Sequence, residues 1–145
     1  MALYTDGDAV NVETTVRVNS KIENLSVVEE KARELFMTAG VSEEKKSDIL
    51  ICIDEAFSNI VFHGYKNRED GFIEVLMSID EKAFTITFID KADAFTPNKK
   101  KPKLGKAVFD RANLGIGVYL MRRLMDSVRY ERTNDENRLT LVKKL

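Results

Sequence analysis

Residues 42–64 read SEEKKSDILICIDEAFSNIVFHG. Ser42 stands ahead of Glu43 and Glu44, a helix-starting hydroxyl followed by acidic residues that suit the positive end of a helix dipole. Ile49, Ile53, Ala56, Phe57 and Ile60 then recur at helical spacing and make one apolar stripe. The spacing predicts a helix from Ser42 to about Phe62, ended by Gly64. Glu55 and Asn59 are four residues apart and stack on one side of that helix. Ile51 and Phe62 flank the pair, so this is not a plain solvated face. A surface i,i+4 polar pair is the commoner reading of such residues; a carboxylate and a carboxamide set among apolar neighbours also form a candidate site.

Working outward, Val10, Val12, Thr14, Val16 and Val18 alternate as in a strand. Asn24 opens a helix carrying Leu25, Val28, Ala32, Leu35 and Phe36, with Gly40 as its stop. Asn67 to Gly71 reads as a turn. Phe72–Ile79 and Ala83–Ile89 flank Asp80-Glu81-Lys82 as a hairpin. Asp90 to Asn113 keeps no period and contains both prolines and the lysines at 99, 100, 101, 103 and 106. It reads as a long loop, the kind that often serves as a lid. Gly115 to Asp126 is helical through Ile116, Leu120, Leu124 and Met125. Val128–Arg132 and Arg138–Leu145 are closing strands around a turn at Asn134-Asp135-Glu136-Asn137. Short turns between neighbouring strands predict an α+β fold. The expected architecture is a two-layer sandwich whose mixed, mostly antiparallel sheet carries helices on one face.

The chain has 145 residues, the size of one domain, so residues 1–145 are taken as a single unit. Hydrophobic residues at 43% suffice for one core, which argues against intrinsic disorder. Lys and Arg number 23 against 24 Asp and Glu, and without a basic excess a general nucleic-acid binder is not expected. The single cysteine, Cys52, cannot form an internal disulfide, and its apolar neighbours make it a buried small hydrophobe rather than a catalytic thiol. Met1 to Asp8 is polar and acidic, unlike a signal peptide, and no stretch approaches the roughly 20 apolar residues of a membrane span. The expected setting is therefore cytoplasmic, with no membrane or direct nucleic-acid contact.

Three places are suited to nucleotide chemistry. The Asn59 carboxamide oxygen is a neutral ligand for Mg²⁺, whose remaining oxygens come from phosphate and water. Glu55, one turn earlier, is placed to polarise a hydroxyl or water aimed at a terminal phosphate. Asp90, at a strand end, can accept from the exocyclic amine of adenine, where guanine offers a carbonyl; a plain turn-starting Asp is the common alternative. Gly115-Ile116-Gly117 leads into a helix whose free N–H groups favour phosphate, although a simple helix-entry turn has the same look. The lysines at 99–106 reach either phosphate or a partner, or form a solvated loop.

Taken together and in this order, the residues resemble the ATP-binding domain shared by gyrase, heat-shock chaperones, histidine kinases and mismatch-repair ATPases, the GHKL superfamily with its Bergerat fold. Asp54 to Tyr65 resembles the asparagine box, and Glu55-Ala56-x-x-Asn59 with His63-x-Tyr65 is similar to the anti-sigma factor serine/threonine kinases. Asp90 to Pro97 is similar to the first glycine box, Asp-x-Gly-x-x-Phe-x-Pro, with Phe95 at the phenylalanine and Ala92 where glycine is usual. Leu114 to Asp126 resembles the second glycine box. The resemblance extends over about the whole chain.

The resemblance implies ATP and Mg²⁺ as cofactors, with nucleotide contacts at Asn59, Asp90, Ala92, Phe95, Gly115 and Gly117 and Mg²⁺ on Asn59. It implies Glu55 as the base acting on a serine hydroxyl and a structural place for His63. It also implies a transcription regulator with protein serine/threonine kinase activity. The implied partners are a small anti-sigma factor antagonist and a sigma factor, held by a homodimer. Two rival readings stand beside it: a nucleotide-binding partner-switch module that transfers nothing, and a detached histidine-kinase ATP-binding domain.

Overall fold

The computed structural model describes residues 2–6, 9–94 and 115–145. They form strands β1 (Ala2–Asp6) and β2 (Ala9–Asn19), helices α1 (Leu25–Phe36) and α2 (Glu43–Asn59), strands β3 (Phe72–Ile79) and β4 (Ala83–Asp90), helix α3 (Gly115–Leu124), and strands β5 (Ser127–Thr133) and β6 (Glu136–Lys144). The six strands make one sheet in the order β1-β2-β3-β4-β6-β5. Every described pairing is antiparallel, so the expected mixed sheet contains no parallel pair among the described residues. The reason is topological: β1 and β2, β3 and β4, and β5 and β6 are hairpins, α1 and α2 return the chain from β2 to β3, and the β5–β6 hairpin docks on β4 through β6.

Side chains alternate across the sheet, and β2, β3, β4 and β6 bury one face against the helices. Val12 and Val16 of β2, Ile73, Val75, Met77 and Ile79 of β3, Phe84, Ile86 and Phe88 of β4, and Leu139 and Leu141 of β6 meet the helices. α1 contributes Val28, Ala32, Leu35 and Phe36, α2 contributes Ile49, Cys52, Ile53, Ala56 and Phe57, and α3 contributes Val118 and Met121. The Phe36 and Phe84 rings tilt against each other at 5.5 Å and 58°, which ties α1 to the middle of the sheet. No helix among the described residues is long and apolar enough to cross a membrane.

The Ser42 side chain caps α2 by accepting from the Lys45 N–H at 3.3 Å. The predicted helix of 42–62 divides at its end: α2 stops at Asn59, and Ile60–Gly64 form a wider π-helical turn closed by Tyr65 N–H to Ile60 O. Such turns recur at functional sites. β1 was not expected from the sequence. Five residues paired at a sheet edge carry too short a pattern to show a period, and their strand exists because β2 offers Ala9 to Glu13 as partners.

Candidate functional site

A cleft of roughly 590 Å³, counting the solvent at its open mouth, lies where the end of α2 and its π-turn meet α3 and the ends of β4 and β6. Asn59, Ile60, His63 and Gly64 line it from α2 and the π-turn, Met121 from α3, and Asp90, Tyr130, Asn137 and Leu139 from the sheet. Its walls are mostly apolar with a few convergent polar groups, the usual make-up of a small-molecule site.

Asp90 reaches the cleft through strand parity. It follows Phe84, Ile86 and Phe88 at spacing two, so its carboxylate enters on the helix-facing side of the sheet and is buried to 4% exposure. Asn137 lies directly across from it on β6, and Arg132 of β5 lies across from Asn137. The Asp90 Oδ1 accepts from the Ala92 N–H at 2.9 Å and from Asn137 Nδ2 at 2.8 Å. Asn137 Nδ2 also donates to the carbonyls of Ala92 (3.0 Å) and Asp93 (3.3 Å). Asn137 Oδ1 accepts from the Tyr130 hydroxyl at 2.5 Å and from Arg132 at 2.8 Å. Burial pushes the Asp90 carboxyl above its ordinary value; the Asn137 amide, the Ala92 N–H and the Arg132 charge pull it back, and Glu136 adds to the rise.

Tyr65 fastens the same corner from the helix side. Its hydroxyl donates to Phe72 O at 2.7 Å and accepts from the Lys91 N–H at 3.0 Å, and burial pushes its acidity down, to a raised pKa. Ala92, the family departure, is buried with its methyl turned toward Gly64: a Cβ placed on Gly64 would lie 2.9 Å from the Ala92 Cβ. Gly64 thus leaves the space that the Ala92 side chain fills, and Ala92 meets the site through its backbone, not its methyl.

Across the cleft, Asn59 Nδ2 is buried and has no hydrogen-bond partner among the described residues. Unpaired buried amides are rare and call for a reason. Beside it, α3 comes unusually close to α2: a Cβ built on Gly117 would stand 2.9 Å from Glu55 Oε2 and 3.0 Å from Asn59 Nδ2. An orphaned amide next to a backbone with no side chain is the local pattern of a site built for a ligand that brings its own polar atoms.

The sequence-predicted residues therefore divide. Asn59 and Asp90 line one cleft, Glu55 and Gly117 lie against each other beside Asn59 but do not line it, and Gly115 opens α3. Phe95 and the lysines at 99–106 lie outside the described residues. Cys52 is fully buried, and burial pushes its thiol up to about 12, so at neutral pH it is protonated and not a nucleophile. Asn137, Tyr130 and Arg132 were missed. Asn137 shares the parity of Leu139 and Leu141, and that alternation was the signal available.

A two-layer sandwich with a strand-end aspartate facing a helix-borne asparagine across a cleft defines a GHKL-type ATPase domain. Residues 18–143 match the family described as "Histidine kinase-like ATPase domain", and the chain belongs to it. It is 32% identical over 120 residues, 78% of this chain and 75% of each relative, to "Serine-protein kinase RsbW" of Staphylococcus aureus strains JH9 and Newman, which places it with the anti-sigma-type kinases. The fold is also similar to part of a Mycobacterium tuberculosis structure described as the RsbU and RsbW domains of one protein, with a TM-score of 0.64 at 19% identity. That match takes in 92% of this chain and 32% of the longer Mycobacterium one.

Proposed function

We propose that this chain is an ATP-dependent protein serine kinase of the anti-sigma type. In this reading residues 1–145 form one cytoplasmic domain that works as a homodimer. It phosphorylates a serine on a small antagonist protein and sequesters a sigma factor when that protein is not engaged. The observation that carries the reading is the convergence of the Asp90 carboxylate and the unpartnered Asn59 carboxamide on one cleft beside Glu55.

The residues present fit a Mg²⁺-nucleotide. Both described bonds to Asp90 fall on Oδ1, which leaves Oδ2 for the adenine amine. The Asn59 amide needs only to turn over to present its oxygen to Mg²⁺, since its two ends have the same shape. The backbone of Gly115 and Gly117 at the start of α3 is assigned to the phosphates, Phe95 to the base, and Ala92 to holding the backbone after Asp90. ATP, when bound, supplies the phosphoryl group and, with Mg²⁺, an electrophilic phosphorus. Glu55 takes the proton of the serine hydroxyl, with α3 close beside that carboxylate at Gly117.

Phosphotransfer to antagonist proteins encoded beside this chain, followed by mass spectrometry with a parallel ATP titration, tests the reading. Glu55→Gln keeps shape and removes the base, so transfer falls on the order of 10²–10⁴-fold while ATP affinity holds. A wild-type protein that binds ATP and transfers to no cognate partner ends the kinase reading and leaves a binding module.

A further inference from the structure

The amide of Asn137 has only one orientation open to it. Its five hydrogen bonds sort by chemistry: Oδ1 faces the Tyr130 hydroxyl and the Arg132 guanidinium, and Nδ2 faces the Asp90 carboxylate and the Ala92 and Asp93 carbonyls. Turning the amide over would set an oxygen against three acceptors and an NH₂ against a guanidinium that can only donate. Asn137 is itself 3% exposed, so water cannot relieve either mismatch. The side chain thus acts as a fixed donor with a defined direction. It grips one oxygen of Asp90 together with the two carbonyls that follow it, joining the end of β4 to β5 and β6.

We propose that Asn137 is the positioning residue for base selection: by holding Asp90 Oδ1 it aims the second carboxylate oxygen into the cleft as the acceptor that takes adenine and refuses guanine. This rests on the assignment of Asp90 to the adenine amine. Asn137 works through Asp90. Tyr130 and Arg132 work through Asn137, because they fix which end of its amide meets the carboxylate. With the grip gone, only the Ala92 N–H still holds Oδ1, χ2 is a soft torsion, and the acceptor direction that separates adenine from guanine is loosened. The phosphate side of the site, formed on α2 and α3, is left as it was. A fold defect would weaken every ligand together; loss of aim weakens only the ligand that is read by its base.

The experiment is calorimetric titration of the whole chain with ATP, GTP and Mg²⁺-tripolyphosphate, the last as a base-free probe, for wild type, Asn137→Leu, Tyr130→Phe and Asp90→Asn, with thermal melts to establish folding. Asn137→Leu is expected to weaken ATP on the order of tenfold or more, the scale of a hydrogen bond to a charged group, while GTP and tripolyphosphate bind as in wild type. Tyr130→Phe keeps the ring and removes one donor to Asn137, and it is expected to move the ATP-to-GTP ratio part of the way in the same direction. An unchanged ratio in both variants overturns the proposal, and so does an equal loss across all three ligands. If Asn137→Leu does not fold, the ratio in Tyr130→Phe decides by the same two criteria. Asp90→Asn separates the layers. If it abolishes the ratio while the other two variants keep it, Asn137 alone is wrong. If Asp90→Asn itself keeps the ratio, the adenine assignment fails and the proposal falls with it.

Discussion

Burying a carboxylate disfavours its charge, and Asp90 is buried while the proposed reading gives it the role of an acceptor. Its folded-state pKa is raised, so between the ordinary carboxylate value and the raised one the folded chain holds a proton that the unfolded chain has released. Stability therefore falls as pH rises through that window, while ATP affinity rises as the acceptor ionises. Asp90→Asn should remove both slopes. The carboxamide oxygen still accepts from the Ala92 N–H and Asn137 Nδ2, so the variant is expected to be at least as stable as wild type at neutral pH, yet its NH₂ meets the adenine amine donor to donor. Paired thermal melts and ATP titrations across the acid range check this; a variant that keeps wild-type ATP affinity removes Asp90 from recognition. The sequence made Asp90 legible because a polar residue closing the run Ala83–Ile89 stands out. It hid Asn137, because Asn134, Asp135 and Asn137 are all turn formers and the whole run was assigned to the turn. In the fold only Asn134 and Asp135 make the turn, and Asn137 is already the second residue of β6.

Helices and strands with a long apolar period were legible almost to the residue. The alternation over Val10–Val18 and the stripe of α2 each follow from one buried face. What the pattern could not give is how elements approach one another. Gly117 shows this. A glycine inside a helix costs roughly 1 kcal/mol relative to alanine, and the cost is explained only when α3 is seen against Glu55 and Asn59. Gly117→Ala is expected to keep or raise thermal stability through better helix propensity, since the contacts it makes are with the ends of flexible side chains. The same methyl displaces the Glu55 carboxylate and the Asn59 amide, so phosphotransfer and Mg²⁺-dependent ATP binding should fall together. Melting curves beside transfer rates measure both; a variant with wild-type transfer would show that the close approach has no part in the chemistry. The Ala92–Gly64 contact was equally unreadable, because the two residues are far apart in sequence and touch only after β4 returns to the end of α2.

The cleft belongs to no single segment. Residues from α2, its π-turn, α3, β4, β5 and β6 form it, so a ligand that fits it holds the two layers together. A ligand that binds only the folded chain stabilises it by about 2.7 kcal/mol at a hundredfold excess over its Kd, which for a domain of this size is a rise of roughly 5–10 °C in Tm. ATP with Mg²⁺ should produce that rise and GTP at the same concentration should not; equal shifts would mean that the base is not read. Asn134 and Asp135, with φ of 52° and 63°, make a two-residue turn that sets Thr133 across from Glu136 and so Arg132 across from Asn137. The length of that turn is a matter of counting. With β6 kept against β4 by Leu139 and Leu141, one inserted residue would slide β5 by a step and send Tyr130 and Arg132 to the opposite side of the sheet. The amide opposite Asp90 would still be there, but nothing would tell it which way to face. If Asp90 reads the base as proposed, which base such a chain prefers is written partly in the arithmetic of a surface loop outside the cleft.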